Sequence, residues 1–568
     1  MDPVIVVGAG PVGLTLALAL ARHGVPSVLL DEGDGTDRQR PAQTVVLRDD
    51  TADLVTRLAD RPLSPGPTRW TGWRSLNRRQ LLRHLTFEEP RQAPVHLSQH
   101  TLTSALRTAA AAEPLVQLAT GSRLDAIEQE RTGLTAHTRN TEGGPVGAGG
   151  EDDGSGAPES TAGDEADRTG GSNGTWWRGS YLVGCDGARS TVRKLLDIRF
   201  PGRTGVERHA VAALRAELPW PGEAVLHRMP PGRLAGSEVT ARPLEDNTWR
   251  LDWLLPPRGE LVTPESLVAR VRESLAVWHG GTTPPYELLD TGVHTVHHRL
   301  ARRWRADRVF LAGDAAHLLG ALGTQGLDEG LRDADNLAWK LALVWHHGPH
   351  EGLLDSYQTE RRAVIAARLR AADQALPILR GGGLRAKMPG TARGHDALLT
   401  DGHLGRGPLG APGTYPDSPL TPAATLRTTT VETPTGAPVA DVAATGEDGA
   451  ATRLRDRLGH HRLVVVLVAP GTGVWARHHW VGAGVMPRLA EAVSRLPHPA
   501  ELVVAEHYPG AAPHTVLLIR PDGHLAAAFN GVHPADLHTA AQAVVHSTPA
   551  EEPSSPDPDR EDATEEVR

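Results

Sequence analysis

Apolar runs broken by glycines set the pattern of the first third of the chain. Residues 4–7 read VIVV, a run of strand length that stops at Gly8, and LTLALALARHG after it reads as a helix lying on that strand. PSVLLDE, residues 26–32, has the signature of a second buried strand. The same strand-then-helix order returns in YLVGCDGARSTVRKLLDI, residues 181–198, and in RVFLAGDAAHLLGALGTQGLDEGLRDADNLAWKLALV, residues 308–344. In the last of these a long helix is predicted to begin near Gln325 to Leu327. Strands alternating with helices predict an α/β fold around a parallel sheet.

The pattern fails in three places. Residues 140–175 are rich in Gly, Asp, Glu and Ser, with almost no large apolar side chain. Such a stretch cannot bury enough surface to offset its ordering entropy. Lying between the strand-like TGLTAHTRN and WWRGSYLVG, it is expected to be the disordered tip of an overgrown hairpin. Residues 401–451 turn Gly/Pro/Thr-rich and read as an inter-domain linker, and 549–568 read as a disordered acidic tail. Between them, 452–548 form a compact α/β pattern: strand RLVVVLVAP, helix PRLAEAVSRL, strand AELVVAEHY, a hairpin turning at Pro-Asp-Gly, and helix PADLHTAAQAVV.

Composition narrows the function classes. The 568 residues allow several cores. Lys and Arg number 59 against 68 Asp and Glu, a net charge of -9, so no basic excess exists for a nucleic-acid partner. Cys185 is the single cysteine, which rules out an internal disulfide and a cysteine-based zinc site; no metal is expected. The apolar runs are too short to cross a bilayer, and the glycine-broken start is unlike a secretory signal, so a cytoplasmic protein without membrane contact is expected.

Gly8-x-Gly10-x-x-Gly13, set between a strand and a helix, carries specific chemistry. The first glycine permits the tight turn, the second lets a pyrophosphate approach the backbone, and the third lets the helix lie close on the strand. The free N–H groups and dipole of the helix favour that anion. Asp31, ending the second strand, is placed to grip a ribose; Glu32 is the less favoured substitute.

Taken in order, the glycine motif, Cys185-Asp186-Gly187-Ala188-Arg189-Ser190 and Gly313-Asp314 resemble the three signatures of the class A flavoprotein aromatic hydroxylases, the para-hydroxybenzoate hydroxylase group. Closer similarity is to the polyketide- and antibiotic-tailoring branch with a thioredoxin-like C-terminal domain. The resemblance implies a Rossmann-like FAD-binding domain (1–199 and 295–400), an inserted β-sheet substrate domain (200–294 with about 70–97) and a thioredoxin-like domain at 452–548. FAD would lie on Gly8, Gly10, Gly13, Asp31, Arg40, Arg48, Gln99, Asp186, Arg189, Gly313 and Asp314. Gly323, Thr324, Gln325, Gly326 and Leu327 would offer backbone N–H groups to the flavin edge. NADPH or NADH would reduce the flavin, dioxygen would add to form the C4a-hydroperoxide, and an aromatic small molecule would take one oxygen. A homodimer is compatible with the family.

Several of these residues have plainer readings. Asp186 could cap the next helix, Arg48 could be a solvated arginine, and His317 and Cys185 read as scaffold. Trp249 and Trp253 read as sheet and pocket wall. His227, Arg228, His294 and His297 are the polar candidates of the inserted region, none assignable as a base. The chain departs from the family where Gly320-Ala321 replace two prolines, Thr324 replaces a glycine and Asp328 an asparagine. Baeyer–Villiger oxygenation is the nearest alternative; a non-catalytic flavin-binding protein is a further one. A halogenase lacks support because WRLDWLLP has the wrong Trp spacing, and a cysteine-free C-terminal unit excludes thiol redox chemistry.

Overall fold

The computed structural model describes residues 1–36, 39–60, 68–88, 93–141, 174–231, 238–255, 262–320, 326–379, 391–471 and 484–545. The expected hairpin tip falls largely outside these. Its flanking strands, Leu134–Asn140 and Gly174–Gly179, do pair antiparallel, with Arg139 opposite Gly174. The tail 549–568 also lies outside.

Six strands form the first sheet, in the order Arg305–Ala306, Val309–Leu311, Tyr181–Gly184, Val4–Val7, Ser27–Leu30 and Val116–Ala119. All pairings but the first are parallel. Val4–Val7 is buried along its whole length, which explains its unbroken apolar run. Helix Pro11–Arg22 and the long helix Gly326–His347 pack together beside this sheet, and Gly330 allows the close crossing: a Cβ there would stand 2.7 Å from Val12 Cγ2.

The inserted sheet has eight strands, ordered His317–Leu318, Tyr286–Leu300, Gly202–Ala216, Thr248–Leu255, Glu238–Pro243, Glu223–Arg228, Gly72–Asn77 and Gln80–Thr86. Strand Tyr286–Leu300 runs unbroken through 294/295, so no boundary falls there. Ala210, Ala212, Leu214, Trp249, Leu251 and Trp253 bury one face against helix Pro264–Trp278. Trp253 Nε1 donates to Ser274 Oγ at 3.1 Å. The two tryptophans therefore belong to the helix-covered face, a correction to their expected place in a pocket wall; alternation along the strand decides it.

A second six-stranded sheet lies near the C-terminus, in the order Ala451–Arg453, Ala443–Gly446, Ala500–Ala505, Leu463–Val468, Val516–Ile519 and Leu525–Phe529. Leu463–Val468 and Ala500–Ala505 are parallel, linked through helix Met486–Ser494; the last two strands are antiparallel, as in a thioredoxin-like unit. Residues 401–451 are not a bare linker. Ala443–Gly446 is a strand of this sheet, and Leu409, Tyr415, Leu420 and Val439 are buried. Their Gly/Pro-rich composition builds turns between packed anchors.

Charged side chains fasten this unit to the rest. Glu360 accepts from Arg520 Nη1 at 2.6 Å, Arg520 Nη2 at 2.9 Å and Lys340 Nζ at 2.7 Å, all buried. Asn336, on the long helix, donates to Asp522 at 3.0 Å.

Candidate active site

Parallel register gathers the three motifs at one place. Val7 is level with Leu30 on one side and Gly184 on the other, and Gly184 is level with Leu311. The residues that follow these strand ends, Gly8, Asp31, Cys185-Asp186 and Gly313-Asp314, thus emerge along one carboxyl edge. Val4–Val7 is the point where the chain order changes direction, the crevice in which α/β sheets bind ligands.

The three glycines have different roles. Gly8 sits at φ +103°, and a Cβ there would stand 2.6 Å from the Cys185 carbonyl oxygen. At Gly13 a Cβ would stand 2.0 Å from the Gly8 carbonyl oxygen, so strand and helix touch backbone to backbone. At Gly10 a Cβ would meet nothing within 4 Å. Gly10 is also the N-cap of helix Pro11–Arg22, with no side-chain cap. An open space thus faces uncapped N–H groups, the fit a diphosphate requires.

Asp31 closes this turn, accepting from Ala9 N at 2.6 Å and Gly33 N at 2.8 Å. Arg107, which the motifs did not indicate, donates to the Ala9 carbonyl at 3.4 Å from the far side. Asp186 accepts from Val192 N at 3.0 Å, so it does cap the short helix Thr191–Leu195, while its Oδ1 is buried without a bonding partner among the described residues. Arg189 and Gln99 are exposed, Gln99 at the first position of helix Gln99–Ala112. Asp314 is exposed into the cleft, yet the surrounding chain desolvates its carboxyl enough to push its pKa up, against the lowering effect of His317. A Cβ on Gly326, the first residue of the long helix, would come 4.0 Å from Asp314 Oδ1. Gly323, Thr324 and Gln325 lie outside the described residues, and Leu327 is half-buried in the first turn.

Two arginines go elsewhere. Arg40 pairs with Asp290 of the inserted sheet at 3.5 Å. Arg48 is neither solvated nor in the cleft: it is buried against Asp328, and Glu329 Oε1 lies 2.7 Å from its Nη2. Asp328, where the family has asparagine, is therefore half of an ion pair. His317 is scaffold, held by Asp333 at 2.8 Å and stacked 5.3 Å from Trp304. Asp333 also receives Gly313 N at 3.0 Å and Arg361 Nε at 2.8 Å, so this cluster fixes the Gly313 turn. Cys185 is buried, which pushes its thiol well above the usual range.

The second face of the inserted sheet is polar. His209 Nδ1 lies 2.6 Å from Asp252 Oδ1 and its Nε2 lies 2.9 Å from Glu207 Oε2. Burial opposes its charge, but Asp252 and Glu207 outweigh it and raise the imidazole to about 10. His294 stacks on His209 at 5.2 Å. Arg250 stands 3.4 Å from Asp252. This face adjoins the substituted loop: a Cβ on Gly320 would come 2.3 Å from His298 Nε2 and 3.3 Å from Glu207 Oε1. Both of those atoms are buried without a bonding partner among the described residues. Gly320 thus lets the loop lie directly against His298, where a side chain of any kind, proline included, would overlap it. The other named candidates are committed elsewhere: His227 between the Arg78 carbonyl and Trp278 Nε1, and Arg228 to Glu238 at 3.6 Å; His297 is half-buried at a register break. A cavity of about 410 Å³ between helix Asp49–Ala59, the long helix and the C-terminal unit shares no residue with this cleft.

Comparison with known proteins agrees with this geometry. The family model for the FAD binding domain matches residues 1–146 and 155–372. This chain belongs to that FAD-binding family. It is 33% identical over 378 residues to the rifampicin monooxygenase of Streptomyces venezuelae, covering 64% of this chain and 69% of that one. To the tetracenomycin A2 monooxygenase-dioxygenase of Streptomyces glaucescens it is 29% identical over 417 residues, covering 66% and 67%. Against the hydroxyphenylpropionate/hydroxycinnamic acid hydroxylase of Paraburkholderia xenovorans it spans only 53% of the relative's length. The flavin-dependent monooxygenase PieE, solved with FAD and substrate, superposes with a TM-score of 0.71 at 21% identity, covering 96% of this chain and 99% of that one. The fold is thus that of the FAD-dependent monooxygenases, with a Rossmann-like cofactor domain and an inserted substrate sheet. Among the described residues, no helix is long and apolar enough to cross a membrane.

Proposed function

We propose that this chain, an FAD-dependent monooxygenase, hydroxylates an electron-rich aromatic ring of a polyketide-type small molecule, using dioxygen and NADPH or NADH. One observation carries the reading: the open, uncapped turn at Gly10 shares its edge with Asp314, and the loop leaving Asp314 abuts a polar sheet face at Gly320. A cofactor and a hydroxylated substrate therefore have adjoining places. Helix Pro11–Arg22 would hold the FAD diphosphate, Asp31 the ribose, and Asp314 the chain between phosphate and flavin.

Bound and reduced, FAD supplies the oxygen atom derived from dioxygen. The protein supplies position and shielding. The first turn of the long helix, beside Asp314, would stabilise negative charge on the reduced cofactor. Glu207 Oε1, buried beside Gly320, would accept a hydrogen bond from a phenolic O–H once the loop at Gly320 moves aside, which would push electron density into the ring. His209 holds Glu207 in that orientation from its other oxygen. Use of NADPH or NADH would fit a cytoplasmic location.

The test is direct. The purified chain should be yellow, with about one FAD per chain, and should oxidise NADPH or NADH faster with aromatic polyketide phenols than without. Product mass should rise by one oxygen with the carbon ring intact by NMR. An oxygen inserted into the ring would instead assign Baeyer–Villiger chemistry. A colourless protein that takes up no FAD would end the reading altogether.

A further inference from the structure

Twenty-eight histidines are spread along the chain, and the fold collects several of them far from the cleft. His346 and His347 end the long helix. His461 precedes strand Leu463–Val468, and His498 precedes strand Ala500–Ala505. His461 meets His498 with ring centres 4.8 Å apart, His346 at 4.9 Å and His347 at 6.2 Å. His23 stands edge-on to His461 at 5.8 Å. In His347, His461 and His498 one ring nitrogen each lies within 4.8 Å of the other two. His347 is exposed, His461 half-buried and His498 buried, so the group opens to solvent on one side only.

We propose that His347, His461 and His498 form a binding site for a divalent transition-metal ion of the zinc type, bridging the long helix Gly326–His347 and the C-terminal unit. Three imidazoles and no carboxylate suit zinc, nickel or copper, and do not suit calcium or magnesium. A tetrahedral ion with ligand bonds of about 2.0–2.1 Å needs nitrogens roughly 3.4 Å apart. The observed limit of 4.8 Å closes to that by small ring rotations, which His347 at an exposed helix end can make. Solvent on the open side provides the fourth ligand.

One further fact favours a cation here. His347 ends the helix Gly326–His347, where unsatisfied carbonyls carry negative partial charge. The expectation of no metal rested on the single cysteine, and these histidines, 114 and 37 residues apart, belong to no spaced motif that would have signalled a site.

The experiment uses the full chain without a histidine tag, as the FAD-loaded protein stripped with a chelator. Titration with Zn2+ should show one site per chain at micromolar affinity or tighter, a raised melting temperature, and no response to Mg2+ or Ca2+. Co2+ should give the visible absorption of a tetrahedral nitrogen site. His347→Ala, at an exposed position, should keep FAD content and fold but weaken binding at least tenfold and abolish the Co2+ band. His461→Ala should do the same, whereas His507→Ala, at an exposed place away from the group, should change nothing. Zinc binding equally tight in wild type and His347→Ala, or no saturable binding in the wild type, would overturn the proposal.

Discussion

Gly10 and Gly13 stand three residues apart in one turn, yet the structure predicts opposite failures on adding a methyl group. At Gly10 the backbone is extended, with φ -74° and ψ 176°, and a Cβ meets nothing within 4 Å. Alanine is a poorer N-cap than glycine, so Gly10→Ala should cost the FAD-free protein about 1 kcal/mol or less. The same methyl would stand where a diphosphate must reach the helix N–H groups. Losing one or two hydrogen bonds to a charged group, at about 1.5–3 kcal/mol each, weakens FAD binding roughly 10- to 100-fold or more. Gly13→Ala puts its Cβ 2.0 Å from the Gly8 carbonyl oxygen and 3.3 Å from Cys185 Cβ. Relieving that overlap requires separating helix from strand, at least as costly as the ~1–3 kcal/mol of ordinary overpacking. The assay is two measurements on each variant: FAD affinity by quenching of flavin fluorescence on titration with FAD-free protein, and urea midpoint without FAD. Gly10→Ala should lose affinity and keep its midpoint; Gly13→Ala should lose its midpoint. Wild-type FAD affinity in Gly10→Ala would refute the placement of the diphosphate at this turn.

His209 links stability to alkaline pH. Its ordinary pKa of 6.5 is raised to about 10, so its contribution is fully present below about 6.5 and is lost as pH rises through about 10. Urea midpoints should fall between pH 7 and 10, and His209→Phe should flatten that slope; an equal slope in both would count against the ion cluster. Arg520→Met should destabilise the C-terminal unit by roughly 3–5 kcal/mol, because Glu360 loses its bidentate partner while buried. Hydrogen exchange should accelerate in strands 516–519 and 525–529, and unchanged protection would contradict the docking role. Trp253→Phe should lower stability by about 1–3 kcal/mol through lost packing and the lost bond to Ser274, while leaving KM for the aromatic substrate unchanged. A raised KM at full stability would put this residue back into the pocket wall.

How much of this was legible in the sequence follows from the range of each interaction. The glycine motif and the strand ends at Asp31, Asp186 and Asp314 were readable because a parallel sheet aligns strand ends automatically. Arg48 was misread because its acidic partners at 328 and 329 lie in another part of the chain. Residues 401–451 were misread because composition shows turns but not the few anchors, such as Tyr415 and Leu420, that bury the segment. The polar floor of the inserted sheet left a signal that went unused. In TWRLDWLL, Arg250 and Asp252 alternate with Trp249, Leu251 and Trp253, and Glu207 and His209 alternate with Arg208 and Ala210. Polar residues on every second position of a buried strand mark a face with work to do; only the register shows that these two strands share it.

The helix Gly326–His347 connects what the motifs left separate. Its first residue borders Asp314 in the cofactor cleft, and its next turn carries Glu329 and Asp333, which bind Arg361 at 2.7 and 2.8 Å and fix the Gly313 turn. A turn further on, Asn336 and Lys340 reach the Glu360–Arg520–Asp522 cluster of the C-terminal unit, and the helix ends at the histidine group. These charges are buried, and a buried pair is a weak source of net stability but a strong determinant of register. A hydrophobic contact would tolerate a slide of the helix along its axis; a ladder of paired charges does not. The helix start is therefore held in place by contacts made along its whole length, including those to the C-terminal unit. Loosening the C-terminal unit should then appear at the flavin: Arg520→Met should weaken FAD retention as well as local stability. If FAD affinity stays at the wild-type value while the C-terminal strands lose protection, the two ends of the helix are independent and this account of its charges is wrong.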